Sequence, residues 1–314
     1  MFKYVLPHKC VFSQRGEQPR TLAELNQLSD VTYLDGGLET LALIGTQLDN
    51  ALISTNNGAA LLTGMGGLAP YQNVNMPFRI SQKRVTLRIR SEAPVHLIST
   101  NGQKKCNDLL VVADASGELF LKIETNGGYD VQAIGISANE QAAAHLACSQ
   151  SLPEGVISLN AVRAARDAWS QSDAGKHLND FCIDAGCIRL STLPHIGKNW
   201  AWPVMRKVLL SFLSYLVNNQ VRHARLVPGC GFLQGSLFQN GTVRIIDQIF
   251  LVSNELNNFA LDLSQVTSCW VTRFSTVSHL ELYSDADRAV AILAPDPNSD
   301  IRCWNNLLES LPMA

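Results

Sequence analysis

Residues 85–123, VTLRIRSEAPVHLISTNGQKKCNDLLVVADASGELFLKI, decide the fold. Val85, Leu87 and Ile89 alternate with Thr86, Arg88 and Arg90, the period-two pattern of a strand with one apolar face and one face carrying two guanidiniums. Residues 94–100 read as a second strand. Residues 108–113 and 118–123 flank DASG at 114–117, whose residue types close a tight hairpin. The stretch predicts three or four antiparallel strands in succession.

The pattern returns near the C-terminal end. Phe259, Leu261 and Leu263 alternate with Ala260, Asp262 and Ser264; SCWVTR at 268–273 is the next strand, and residues 279–293 form a hairpin that turns at Asp285 and Asp287. A coarse internal repeat of this kind predicts an α+β chain of two similar modules, each a large antiparallel β-sheet with flanking helices. At 314 residues the chain is long enough for two such cores.

Composition narrows the function classes. A chain 46% apolar and 17% charged reads as a water-soluble globular protein, and a net charge of −2 gives no bulk attraction to nucleic acid or anionic lipid. The N-terminal residues lack the roughly 7–15-residue apolar core of a secretory signal. The longest apolar run, 208–217, is broken by Ser211 and Ser214 and is too short to span a bilayer. Eight cysteines without a signal segment point to reduced thiols and a cytoplasmic setting. Their nearest spacing, Cys182 to Cys187, fits neither a zinc knuckle nor a redox pair.

Along the chain, TLAELNQL at 21–28 is a short amphipathic helix, with Thr21 and Glu24 spaced as a capping box. Residues 31–34 read as a strand and 37–48 as a helix. Two strands, 51–55 and 59–63, meet at the turn 56–58, and GMGG at 64–67 reads as a flexible connection. A Gly-, Ala-, Ser- and Asn-rich stretch over 125–160 places the boundary, with modules at 1–155 and 156–314. Beyond it, 159–181 is helical in pieces and 202–218 is a strongly apolar helix. Strands follow at 222–227, 232–238, 242–252 and from 259, and a last helix covers 304–311. That helix pairs by pattern with the one opening the first module, a circular relation between the repeats.

GCGFLQG at 229–235 has one residue too many for a dinucleotide loop and is followed by strand pattern, so its glycines are turns. Nucleophile-elbow, Walker, EF-hand and zinc-protease motifs are absent from the sequence. Arg84, Arg88 and Arg90, with Lys83, make one strand unusually basic. The plain reading is a solvated sheet face; the functional one is a set of guanidiniums holding carboxylates or polarising a bound oxygen species. His96, on the next strand, is placed beside them. His177 and His195 read from spacing as an exposed helical histidine and a proline-fixed loop histidine.

The residues resemble those of the HemS/ChuS/PhuS-type haemin-utilisation proteins of Gram-negative bacteria, tandem relatives of the single-unit ChuX/HutX proteins. VTYLDGG at 31–37 with the Leu-rich helix to Leu48, YQNV at 71–74 and VTLRI at 85–89 resemble the family's first module. SCWVTR at 268–273, SHLELY at 278–283 and WNNLLESL at 304–311 resemble its second. The resemblance implies one haem in a cleft between the repeats, iron ligated by a histidine of the segment opening the second module, and an arginine of the first sheet on the other side. The strand match carries that arginine onto Arg88. An ungapped alignment puts Gly175 at the ligand position, and a two-residue shift makes His177 the metal ligand. Arg84 and Arg90 become propionate contacts, and His96 joins the haem-binding set.

The implied function is cytoplasmic haem utilisation: trafficking to a haem oxygenase, or haem breakdown in place, with a haem oxygenase or haem importer as protein partner. The chain is expected to be monomeric, without nucleic-acid partners or membrane insertion. Three segments depart from the family in charge or ligand content: APDPN at 294–298, RFS at 273–275 and LDL at 261–263. They support the alternative, a divergent member that has lost haem and serves as a ligand- or protein-binding regulatory module.

Overall fold

A computed structural model describes residues 19–27, 31–71, 80, 84–90, 93–100, 108–125, 138–139, scattered positions between 160 and 181, and 187–314. The first elements are α1 (Leu22–Asn26), β1 (Val31–Leu34), α2 (Gly37–Gly45), β2 (Ala51–Asn56), β3 (Ala60–Tyr71), β4 (Arg84–Ile89), β5 (Val95–Thr100), β6 (Asp108–Asp114), β7 (Leu119–Thr125) and β8 (Ala138–Asn139). The second half supplies α3 (Cys187–Ile196), β9 (Ala201–Val204), α4 (Leu209–Asn218), β10 (His223–Gly229), β11 (Phe232–Phe238), β12 (Thr242–Ile246), β13 (Ile249–Ser253), β14 (Asn257–Asp262), β15 (Ser268–Phe274), β16 (Val277–Tyr283), β17 (Ala289–Pro295) and α5 (Ile301–Glu309). The fold is α+β with predominantly antiparallel pairing.

Local signals work where they are strong. Thr21 and Glu24 form the capping box at α1, side chain to backbone in both directions. At 114–117 the Asp114 carboxylate accepts from the Ser116 and Glu118 amides, both at 2.9 Å, and Gly117 supplies the φ of +82° that closes the hairpin.

Strand pairing divides the structure into two sheets. The first runs β1-β5-β6-β7-β2-β3-β14-β13-β12, with β8 beyond β1. The second runs β9-β15-β16-β17-β10-β11-β4, with the far end of β3 parallel to β4. The two orders correspond element by element, so β4 and β14 hold equivalent places, each in the sheet built by the other half. The halves exchange a strand. The organising stretch is therefore not one continuous meander: β5, β6 and β7 are, while β4 leaves for the other sheet.

The exchange turns on β3. Residues 64–67, expected as a flexible connection, lie inside this strand where it leaves the first sheet and enters the second. Gly64 sits at the crossing: a Cβ there would lie 2.5 Å from Val85 Cγ2 on β4 and 2.9 Å from Asn257 Oδ1 on β14. Only glycine lets both exchanged strands approach.

The correspondence also corrects the circular relation. Residues 201–204 form β9, which precedes α4 as β1 precedes α2; the helix at 202–218 is confined to its second part. The repeats thus run in the same order, and α5 is an addition after β17. Residues 242–252 are a hairpin, β12 and β13, turning at Asp247 with φ +56°.

Inner faces of the sheets pack on one another. α2 fills one inner cluster with Leu38, Leu41 and Ile44, and α4 and α5 fill the other with Phe212, Leu216, Trp304 and Leu308. Polar ties join the sheets: Thr55 Oγ1 donates to Gln234 Oε1 at 2.5 Å, and Asn57 Nδ2 donates to the Val290 carbonyl at 2.9 Å. The outer face of the first sheet is covered by α1 through Leu25. The outer face of the second is covered by α3 and by Trp169, Leu178 and Phe181. No helix among the described residues is long and apolar enough to cross a membrane.

Candidate functional site on the outer face of the second sheet

Paired residues of an antiparallel ladder point to the same face. Arg88 on β4 stands opposite Leu233 on β11. Leu233 belongs to the outer cluster with Leu226, Ile292, Tyr283, Trp169, Leu178 and Phe181. Val85, Leu87 and Ile89, on alternate positions of the same strand, belong instead to an inner cluster. Strand exchange thus carries Arg88 from the first half onto the outer face of a sheet built by the second. Its face is not a solvated one, since Arg88 is only 2% exposed.

Across this face β4 is followed by β11, β10, β17 and β16. Four steps of strand spacing separate Arg88 from Glu281 on β16 by about 19 Å. The floor between them is apolar and low: Leu233, Ala224, Leu226, Ile292 and Ala294. Such a floor, with a cation at one margin, suits a broad apolar ligand that carries anionic groups.

The opposite margin is a buried polar network. Glu281 is 0% exposed, and among the described residues four donors converge on it. Arg189 of α3 grips it bidentately, Nε to Oε2 at 2.8 Å and the terminal nitrogen to Oε1 at 2.6 Å; Tyr283 Oη donates to Oε2 at 2.6 Å and Thr272 Oγ1 donates to Oε1. The Arg189 guanidinium lies 4.7 Å from the Trp169 ring, 4.8 Å from Phe181 and 5.3 Å from Phe274. Trp169 stacks on Phe274 at 4.2 Å and donates Nε1 to the Arg273 carbonyl at 3.0 Å. Burial first, and Glu281 next, hold the Tyr283 phenol well above its ordinary range, so it stays a donor. Arg189, Leu193 and Ile196 recur at helical spacing and turn one side of α3 to the sheet. The network ties the cover down.

The remaining expected residues fall as follows. His177 lies outside the described residues. Arg84 opens β4 opposite Gly67, and its side chain lies outside the described residues too. Arg90 follows β4, half-buried, its amide donating to the Gly231 carbonyl at 2.8 Å. His96 does not join Arg88: β5 belongs to the first sheet, where the His96 ring meets Tyr33 edge-on at 5.9 Å. His195 is in the last turn of α3, not in a loop, and is exposed. Arg189, Glu281, Thr272 and Tyr283 were not singled out from the sequence. Alternation in SHLELY marks Glu281 as a residue of one face, and nothing local says that face is covered.

The departing C-terminal segment has structural occupations. Asp296 is 1% exposed, pairs with Arg222 Nε at 2.8 Å and accepts from the Asn298 amide at 2.9 Å. Asp300 caps α5 by accepting from the Arg302 amide at 2.9 Å.

No protein-family model matches the chain, and no curated protein matches it in sequence. Solved structures do match. The apo form of PhuS, a haem-binding protein from Pseudomonas aeruginosa, superposes with a TM-score of 0.73 at 17% identity, covering 93% of this chain and 90% of that one. Its haem-bound form gives 0.71 at 18% identity with the same coverage. ChuS, an E. coli haem oxygenase, gives 0.71 at 15% identity, covering 98% of this chain and 97% of that one. The chain shares the whole fold of these proteins.

Proposed function

We propose that this protein binds one haem on the outer face of the second sheet, beneath the cover formed by α3 with Trp169, Leu178 and Phe181. The observation carrying this reading is the placement of Arg88, brought by strand exchange onto the face that Trp169, Leu178 and Phe181 cover. Those covering residues bracket His177, the candidate iron ligand on the segment opening the second half. In this reading the apolar floor takes the macrocycle. Haem would supply the oxygen chemistry; Arg88 would offer a hydrogen bond to water or an oxygen species there, and Arg84 and Arg90 would hold the propionates.

The likeness to haem-binding and haem-degrading proteins supports haem utilisation, with the haem either passed to an oxygenase or broken down in place. The protein's own levers on that choice are the ligand and the distal hydrogen bonds. The chain is read as two modules, 1–155 and 156–314, acting as a cytoplasmic monomer because it contains both sheets. A solution mass of twice the chain refutes that part.

A second reading has its own observation. Arg88 is 2% exposed and the floor is already covered, as in a divergent member that has given up haem and acts as a regulatory or protein-binding module. A haemin titration of the apo-protein, followed in the Soret region beside His177→Ala and Arg88→Ala, separates the two. A saturable one-to-one change that His177→Ala abolishes and Arg88→Ala shifts is expected. Saturation that survives His177→Ala moves the ligand to another histidine. No saturable change refutes haem binding and leaves the second reading.

A further inference from the structure

On the inner face of the second sheet, away from the proposed haem site, Arg225 is 0% exposed. Its guanidinium lies between the sheets in an aromatic cage: 4.6 Å from the Phe238 ring of β11, 4.8 Å from Phe259 of the exchanged β14, and 5.5 Å from Phe250 of β13. Nε donates to His223 Nε2 at 2.9 Å, and His223 Nδ1 donates to the Val221 carbonyl at 2.7 Å. That pattern fixes a neutral imidazole. Burial, then the adjacent guanidinium, lowers the His223 pKa to about 3. His223 therefore gives Arg225 one acceptor and no negative charge.

Both terminal amino groups of Arg225 are buried without a hydrogen-bond partner among the described residues. So is the hydroxyl of Ser236, the residue directly opposite on β11 and on the same face. Aromatic faces attract the positive charge but are weak acceptors for N–H groups. Burial lowers the Arg225 pKa to about 9, with no carboxylate among the described residues opposing it. Orphaned buried donors are costly and call for an acceptor. Water would accept their hydrogen bonds; an anion would accept them and neutralise the charge as well.

We propose that the terminal nitrogens of Arg225 and the Ser236 hydroxyl hold one compact monovalent anion of the halide class in the inter-sheet core. The anion completes a clamp between the second sheet and the exchanged strand β14, and it is taken up on folding. The burial of Arg225 and Ser236, 0% and 3% exposed, favours a single-atom anion over an organic carboxylate.

The full-length protein is tested by thermal unfolding as chloride replaces gluconate at constant ionic strength. The midpoint is expected to rise by several degrees with chloride and to level off, as saturable binding to the folded state requires. Ser236→Ala, a small change, should shift the rise to higher chloride, and Arg225→Met, if it folds, should abolish it. Crystals grown in bromide should show an anomalous peak within hydrogen-bonding distance of Arg225. A midpoint indifferent to the anion, a rise unchanged in Ser236→Ala, or an anomalous map empty beside Arg225 overturns the proposal.

Discussion

Replacing Arg189 by methionine tests whether the Glu281 network holds the cover on the second sheet. Methionine keeps most of the apolar stem, so the change isolates the guanidinium. Of its four donors among the described residues, Glu281 would lose two and keep Thr272 and Tyr283, with its carboxylate still shut away from water. Removing one partner of a buried, hydrogen-bonded pair typically costs about 3–5 kcal/mol. That is a large share of the total stability of about 5–15 kcal/mol usual for a domain. Equilibrium urea unfolding should show the midpoint falling with little change in slope. The double variant Arg189→Met with Glu281→Leu should recover most of the loss, since it replaces the pair by apolar groups. The two single variants and the double close a cycle that measures the coupling directly. A loss below about 1 kcal/mol, the range of exposed ion pairs, or a double variant as unstable as the single, would refute the reasoning.

Three further outcomes follow from other sites. Gly64→Ala should cost about 1–3 kcal/mol through overpacking against Val85 and Asn257, read by the same urea titration; no change means that the strand crossing is looser than described. Burial lowers His223 to about 3 and His279 to about 4 from 6.5, so below 6.5 the unfolded chain takes up protons that the folded chain does not. Their contribution is full above pH 6.5 and is lost on acidification, and His279→Gln should reduce the slope of stability between about pH 6 and 5 by up to about 1.4 kcal/mol per pH unit. An unchanged slope contradicts the burial of His279 as neutral imidazole. Burial raises the Cys269 thiol to about 12, so alkylation of the native protein at pH 8 should label exposed Cys303 and leave Cys269 unmodified, as peptide mass mapping would show. Labelling of Cys269 before unfolding would count against it.

Much of the fold was legible locally. The alternation within β5, β6 and β7, the turn at 114–117 and the capping box at Thr21 each depend on neighbours a few residues away, and each forms as read. Errors came where the local signal was ambiguous. Residues 201–204 are a short apolar run joined to a helix, and length alone did not separate strand from helix there. The hairpin at Asp247 lacks the glycine that usually marks such a turn, so two strands read as one. Missing β9 in turn matched the wrong helices between the repeats.

By itself the amino-acid sequence determined the period of each strand, the repetition of the module and the basic character of β4. Those are properties of consecutive residues, set by backbone geometry and side-chain type. Only the tertiary structure decided which sheet β4 joins and what lies over each face. Alternation sorts Arg88, Arg225 and Glu281 onto faces but carries no information on what covers them. In this fold both faces of the second sheet are covered, one by the first sheet and α4, the other by α3 with Trp169, Leu178 and Phe181. Three side chains that a single strand would leave in water are thereby desolvated.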